Sequence, residues 1–140
     1  MPTRIANLLS ALPRPDAGEV FDELLRCGNV RIERIVSSPR PEPVVYDQPG
    51  DEWVLLLEGT ATLELDSETI VLAAGDHVFI PAHCRHRVLE TSAEPRCIWL
   101  AVHIAPPPGP ATAAHREPGT GDDPPPPDTR AAAQERDGSM

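Results

Sequence analysis

The sequence has no lysine, few aromatic residues and no long apolar run. Its twelve basic residues are all arginines, and they stand against 22 acidic residues, for a formal net charge of −10. Because an acidic surface repels nucleic acid and anionic membranes, we expect neither as a partner. No segment approaches the ~20 apolar residues that a membrane-spanning helix needs. The first residues, which carry Arg4 and Arg14, do not have the pattern of a signal peptide.

Cysteine is also scarce. Cys27, Cys84 and Cys97 form no close pair and no metal-binding spacing, and an odd number leaves at least one thiol unpaired. This usage favours a reduced, cytoplasmic setting.

Large apolar residues are missing from the end of the chain. Residues 106–140 contain no Leu, Ile, Val or aromatic residue but hold nine of the 18 prolines. Such a segment cannot bury enough apolar surface to offset the entropy lost on ordering, so we predict a disordered, acidic, Pro-rich tail. A chain of 140 residues then leaves room for one domain, which we place at residues 29–105.

Between residues 30 and 104 the apolar residues form short strand-like runs. These are rich in Val, Ile, Leu and Thr and are separated by Gly, Pro, Asp and Ser. The runs are VRIERIV, VLLLEGTATLELD, ETIVL, HVFI, HRVLE and CIWLAVHI. Six or more short strands in under 80 residues predict an all-β sandwich or barrel.

Residues 1–28 precede these strands. In the stretch EVFDELLRC, Val20 or Phe21 has helical spacing to Leu24 and Leu25, and a Gly-Asn pair follows. This spacing, with a stop signal after it, predicts a short helix in the N-terminal segment.

The strand beginning at Glu52 has apolar residues on both faces. If Glu52 points inward, Trp53, Leu55 and Leu57 point outward. An exposed stripe of this kind is an association site, so it must be covered by the N-terminal helical segment or by a second subunit. We favour a homodimer.

A cluster of polar residues lies immediately before the same strand and at its start. Tyr46 and Gln48 lie two residues apart and so face one side, and Pro49-Gly50 then bends the chain so that Glu52 can rejoin them. His86 would enter from another strand across the barrel. A carboxylate inside a barrel is costly unless something pairs with it. A divalent cation held by Glu52 and His86, with oxygen atoms from Gln48 and Tyr46, would remove that cost.

Two segments resemble the conserved motifs of the cupins, which are small β-barrels with a metal site in the barrel mouth. In the first, Glu52 and Gly59 match, while Tyr46 and Gln48 stand at the two histidine positions. In the second, GDHVFIPAHCRHRV, the matching residues are Gly75, Pro81 and His86. His83 stands in place of a glycine, and Glu90 in place of an asparagine. The resemblance covers roughly residues 30–104 and implies a double-stranded β-helix, or jelly-roll barrel.

The resemblance implies a divalent metal, namely Mn, Fe(II), Zn or Ni, bound by Tyr46, Gln48, Glu52 and His86. Replacing two imidazoles with a phenol and an amide makes the donor set harder than the family pattern. The alternative is a metal-free pocket in which Glu52 bonds to Tyr46 or His86 and an organic molecule binds.

Two functions follow from these alternatives. The first is a metal-assisted isomerase, lyase or oxygenase acting on a small polar molecule, with Tyr46 or His83 transferring a proton. The second is a non-catalytic module that binds or senses a small molecule. His83 also fits a simple turn residue, and His103 fits a structural strand histidine.

Overall fold

The computed structural model describes residues 3–107, which contain eight β-strands and no helix. The strands are β1 Glu19–Cys27, β2 Val30–Ser37, β3 Asp51–Glu58, β4 Thr60–Leu65, β5 Glu68–Ala73, β6 His77–Ile80, β7 His86–Thr91 and β8 Ile98–Ile104. No helix in the described part is long and apolar enough to cross a membrane. The predicted disordered tail, residues 106–140, lies almost wholly outside the described residues and stays a prediction.

The strands form two antiparallel sheets, which confirms the all-β prediction. The five-stranded sheet has the order β1-β2-β8-β3-β6, and the three-stranded sheet has the order β5-β4-β7. One cluster of buried residues draws on both sheets, including Leu56 and Trp99 from the first and Leu63 and Leu72 from the second. The core therefore lies between the sheets.

The predicted N-terminal helix is wrong, because its residues form the edge strand β1. Residues 19–27 pair with β2 in antiparallel register, with a bulge between Glu23 and Leu25. Only two residues, Gly28 and Asn29, separate β1 from β2, and Gly28 has a positive φ of 59°. A Gly-Asn pair between two strand-like runs is a hairpin signal, since a tight hairpin turn needs a left-handed residue. Hydrogen bonding to β2 therefore determines the conformation of this segment, although its apolar residues have helical spacing.

The alternation predicted for β3 is confirmed. Glu52, Val54 and Leu56 are 6%, 4% and 0% exposed, while the residues between them are only partly buried. This arrangement puts the Glu52 carboxylate inside the protein, at the start of a strand whose further inward residues are apolar.

Gly59 lets the chain pass from one sheet to the other, since β3 and β4 belong to different sheets. Its φ is 93°, and a Cβ atom there would lie 2.9 Å from both the Cα and the Sγ of Cys97. A left-handed backbone in a crowded position requires glycine. This explains in physical terms why a glycine follows the Glu52 strand.

An extended N-terminal segment, residues 3–18, covers one end of the outer face of the five-stranded sheet. Arg34 points outward from β2, and its Nη1 donates to the carbonyl oxygens of Leu8 at 2.7 Å and Ser10 at 3.0 Å. The cover expected from Leu24 and Leu25 is absent, because both lie in β1 and are 47% and 49% exposed. The N-terminal segment is instead attached to the sheet by the hydrogen bonds from Arg34 to its backbone carbonyls.

Candidate functional site

A pocket of about 510 Å³, including its open mouth, lies between the two sheets. Its lining combines apolar residues with carboxylates, imidazoles, a phenol and an amide. The lining residues are Glu19, Phe21, Glu33, Ile35, Tyr46, Gln48, Glu52, Val54, Leu63, Ile80, His86, Val88, Trp99 and His103. The predicted residues Tyr46, Gln48, Glu52 and His86 are thus brought together, whereas His83 is not among them.

Tyr46 and His86 are positioned by each other. They form an isolated antiparallel bridge, in which the Tyr46 amide donates to the His86 carbonyl at 2.8 Å and the His86 amide donates back at 3.1 Å. The two rings are stacked, with centroids 5.4 Å apart and planes 21° from parallel. The Tyr46 ring therefore packs against one face of the His86 imidazole.

His86 directs one ring nitrogen at Glu52. Its Nδ1 lies 2.9 Å from the carbonyl oxygen of Cys84, which can only accept, so Nδ1 carries a hydrogen. The other nitrogen, Nε2, lies 3.6 Å from Glu52 Oε1, and both side chains are about nine-tenths buried. Glu52 Oε1 has no hydrogen-bond partner among the described residues. The separation is too long for a direct hydrogen bond but short enough for an ion pair.

The surroundings favour the charged form of His86. Burial alone would lower the pKa of the imidazole, but the nearby Glu52 carboxylate opposes burial, and the Cys84 carbonyl adds to the effect of Glu52. The net result is a raised His86 pKa.

The surroundings also favour the charged form of Glu52. Burial would raise the pKa of this carboxyl, but His86, His103 and Arg31 together outweigh burial and hold the pKa below its ordinary value. The two shifts agree, since each favours a protonated His86 beside an ionised Glu52.

A second carboxylate and imidazole pair lines the same pocket. His103 Nε2 lies 2.8 Å from Glu33 Oε2, and Arg31 Nη1 lies 3.0 Å from Glu33 Oε1. The Glu33 side chain is 1% exposed. His103 stands directly opposite Glu52 in the pairing of β8 with β3. The pocket therefore contains two acid and imidazole pairs: Glu33 and His103 within the five-stranded sheet, and Glu52 and His86 across the two sheets.

Sequence reasoning missed Glu33 and His103, although a signal existed. His103 follows Trp99 and Ala101 at two-residue spacing, so it shares their inward face. Glu33 has the same relation to Ile35 on β2. A single histidine on a strand is usually structural, and this expectation drew attention away from the inward position of His103.

His83 lies in the loop before β7, with its side chain 69% exposed. Its amide donates to the Gln48 carbonyl at 2.7 Å, and its Nδ1 lies 3.0 Å from Asp47 Oδ1. Its φ is 64°, in the left-handed region. That backbone conformation explains why the related motif has glycine at this position. The geometry fits the turn-residue interpretation of His83.

The predicted metal ligands match a metal site only in part. Within residues 3–107, no group of three or more His, Cys, Asp or Glu side chains is arranged to hold a metal. Glu52 and His86 supply two strong donors, whereas protein zinc sites use three or four. The remaining two candidates, Gln48 and Tyr46, are weak neutral donors, and Tyr46 lies with its ring against the imidazole face.

Comparisons with known proteins agree with this fold. A family model described as a cupin domain matches residues 40–103. A protein from Ralstonia eutropha JMP134, named "putative mannose-6-phosphate isomerase", is 38% identical and superposes with a TM-score of 0.67. The match covers 74% of this chain and 100% of that one. A search of curated proteins found no match.

Two more distant structures share the fold alone. A cupin superfamily protein from Desulfitobacterium hafniense DCB-2 is 20% identical, with a TM-score of 0.63 over 76% of this chain and 95% of that one. A cupin 2 conserved barrel domain protein from Leptotrichia buccalis is 18% identical, with a TM-score of 0.61. That match covers 71% of this chain and 47% of the Leptotrichia chain.

Proposed function

The chain belongs to the cupin superfamily, and we propose that its pocket binds a small uncharged molecule that carries hydroxyl groups. The observation that carries the proposal is the gap of 3.6 Å between His86 Nε2 and Glu52 Oε1. When His86 is protonated, its Nε2–H donor points toward the acceptor Glu52 Oε1 but is too far away to form a hydrogen bond with it. A hydroxyl group both accepts and donates, so a hydroxyl that lies in the pocket beside the pair can bridge the imidazolium and the carboxylate.

The same pair can move a proton. The imidazolium of His86 can donate to a carbonyl oxygen of the ligand, and Glu52 can accept a proton from a neighbouring position. Reversible proton transfer of this kind isomerises hydroxy-aldehydes and hydroxy-ketones. The likeness to the Ralstonia protein, which is named as an isomerase, supports this reaction class.

The charges of the pocket argue against a phosphorylated ligand. Three carboxylates line it, from Glu19, Glu33 and Glu52, and no arginine is among the lining residues of the described chain. The guanidinium of Arg31 is nearby but already bound to Glu33. A phosphate dianion would meet negative charge without a free guanidinium, so the ligand class is the unphosphorylated one.

Ligand binding should depend on both members of the pair. We expect millimolar mannose or fructose to raise the melting temperature of the wild type, and mannose 6-phosphate to have no effect. Glu52→Gln and His86→Gln each lose a charged hydrogen-bond partner, so affinity should fall by roughly tenfold to a hundredfold. Thermal shift titrations measure this change.

The matched control is His77→Gln, which alters an exposed histidine on the outer face and should leave binding unchanged. Tighter binding of the phosphate ester than of the free sugar would contradict the charge argument. Equal affinity of the wild type and both pocket variants would show that Glu52 and His86 do not bind the ligand. Binding without interconversion of mannose and fructose would identify the non-catalytic module instead.

A divalent metal is the second candidate occupant, since the unpartnered Glu52 Oε1 facing an imidazole nitrogen also suits a cation. Glu52 and His86 would hold Mn, Fe(II), Zn or Ni, with Gln48 and Tyr46 as weaker ligands. Elemental analysis after incubation with each metal distinguishes the two occupants. A bound stoichiometric metal that His86→Gln loses would favour the cation, and a metal-free protein that binds the sugar would favour the hydroxyl.

A further inference from the structure

The strands that line the pocket change from polar to apolar residues along their length. Four of them carry a polar residue at one end of the pocket and an apolar residue farther along. The residues are Glu33 and Ile35 on β2, Glu52 and Val54 on β3, His86 and Val88 on β7, and His103 and Trp99 on β8. Because β8 runs antiparallel to β2 and β3, its order is reversed, and His103 stands opposite Glu52. The pocket therefore has two chemically different ends.

We call these two parts of the pocket the polar end and the apolar end. The polar end is lined by Glu33, Glu52, His86 and His103, and the apolar end by Phe21, Ile35, Leu63, Val88 and Trp99. Ile35 stands opposite Trp99 on one side and opposite Phe21 on the other. Leu63 belongs to the apolar end because it stands opposite Val88.

The polar end has an unmet hydrogen-bonding requirement. Glu33 is already paired with His103 and Arg31. Within residues 3–107, Glu52 Oε1 is the one buried side-chain polar atom of the pocket lining that has no hydrogen-bond partner. A ligand therefore needs its hydrogen-bonding groups beside Glu52.

The apolar end calls for a different kind of ligand group. The indole nitrogen of Trp99 already donates to Ser37 Oγ at 2.9 Å, and Ser37 Oγ donates to Glu19 Oε2 at 2.8 Å. Glu19, which stands opposite Ser37, thus already accepts a hydrogen bond. The other side chains of the apolar end are hydrocarbon. A polar ligand group placed there would lose its hydrogen bonds to water, whereas an apolar group would gain from burial.

The distance between the two ends determines the shape of the ligand. His103 and Trp99 are four residues apart on β8, which corresponds to about 14 Å at ~3.4 Å per residue. A free sugar held beside Glu52 would not bury the apolar end, so we expect it to bind only at millimolar concentration.

We propose that the ligand is an aliphatic hydroxy-ketone. Its hydroxyl and carbonyl groups lie beside Glu52 and His86, and its hydrocarbon chain lies in the apolar end. This inference rests on the proposed function, which supplies the hydroxyl and carbonyl groups, and it adds the chain.

Thermal shift titrations of the full chain with a homologous series, from hydroxyacetone to 1-hydroxyoctan-2-one, test the proposal. Each methylene group that enters the apolar end should raise the affinity roughly threefold to fourfold, until the chain fills the pocket. An affinity that does not rise with chain length, or a series that does not bind, would overturn the inference. Octan-2-one, which lacks the hydroxyl group, separates the two proposals. If it binds as tightly as 1-hydroxyoctan-2-one, the proposed role of the hydroxyl group fails while the role of the chain stands.

Variants of Phe21 test the apolar end itself. Phe21→Ala removes part of its lining, so the affinity for 1-hydroxyoctan-2-one should fall roughly tenfold while the affinity for hydroxyacetone stays unchanged. Phe21→Leu keeps an apolar side chain on the edge strand β1, so it should fold as the wild type does and lose less affinity. Circular dichroism checks the fold of both variants.

The matched control is Val71→Ala, because Val71 is 73% exposed and lies on β5, away from the pocket lining. It should leave the affinity for both ligands unchanged. An equal loss of affinity for both ligands in Phe21→Ala would overturn the inference, and so would wild-type affinity for 1-hydroxyoctan-2-one in both Phe21 variants.

Discussion

Replacing His103 with asparagine is expected to destabilise the protein by roughly 2 to 3 kcal/mol, the cost of removing a hydrogen bond from a buried carboxylate. The His103 ring reaches Glu33 at 2.8 Å, and Glu33 is 1% exposed. Asparagine is too short to keep this contact, so Glu33 would lose a buried hydrogen-bond partner. The contact of Glu33 with Arg31 remains in place and limits the loss. Denaturant unfolding near neutral pH measures the difference.

The matched control for that substitution is His83→Asn. His83 is 69% exposed and pairs with the partly exposed Asp47, so its loss should change the free energy of unfolding by no more than about 1 kcal/mol. Asparagine also tolerates the left-handed backbone at this position. Two variants of equal stability would show that the contact of His103 with Glu33 does not stabilise the fold.

The second large effect is a dependence of stability on pH that comes from the Glu52 and His86 pair. Because the folded-state pKa of His86 is raised, its contribution is complete below the ordinary value of 6.5 and is lost as the pH rises through the raised value. Because the pKa of Glu52 is lowered, its contribution is present above 4.5 and is lost as the pH falls through the lowered value. Both contributions hold between these limits.

We therefore expect the stability difference between the wild type and His86→Gln to be greatest between pH 4.5 and 6.5 and to shrink at higher pH. Denaturant unfolding at several pH values measures it. The same series on Glu52→Gln and on the double variant isolates the coupling between the two side chains. A difference that grows as the pH rises above 6.5 would contradict the assigned ion pair.

The strands were predictable because alternation of apolar and polar residues is a strong local signal. β3 illustrates this, since the inward position of Glu52 follows from its spacing to Val54 and Leu56. The N-terminal helix was wrong because β1 is a half-exposed edge strand, with a bulge that breaks its alternation. For such a strand, pairing with β2 decides the conformation, and this pairing is not visible in the strand's own sequence.

The pocket was predictable in part. Motif spacing brought Tyr46, Gln48, Glu52 and His86 together, and all four line one cavity. The pairing of Glu33 with His103 joins β2 and β8 across 70 residues of sequence, so it depends on a strand order that sequence spacing does not reveal.

The most direct test of the site is the titration of the His86 ring, followed by NMR of histidine-labelled protein. We expect the His86 ring to titrate above its ordinary pKa of 6.5 in the wild type, and its pKa to fall in Glu52→Gln, where the carboxylate no longer opposes the effect of burial. A His86 ring that titrates at the same pH in both proteins would show that the imidazole and the carboxylate do not act as a pair.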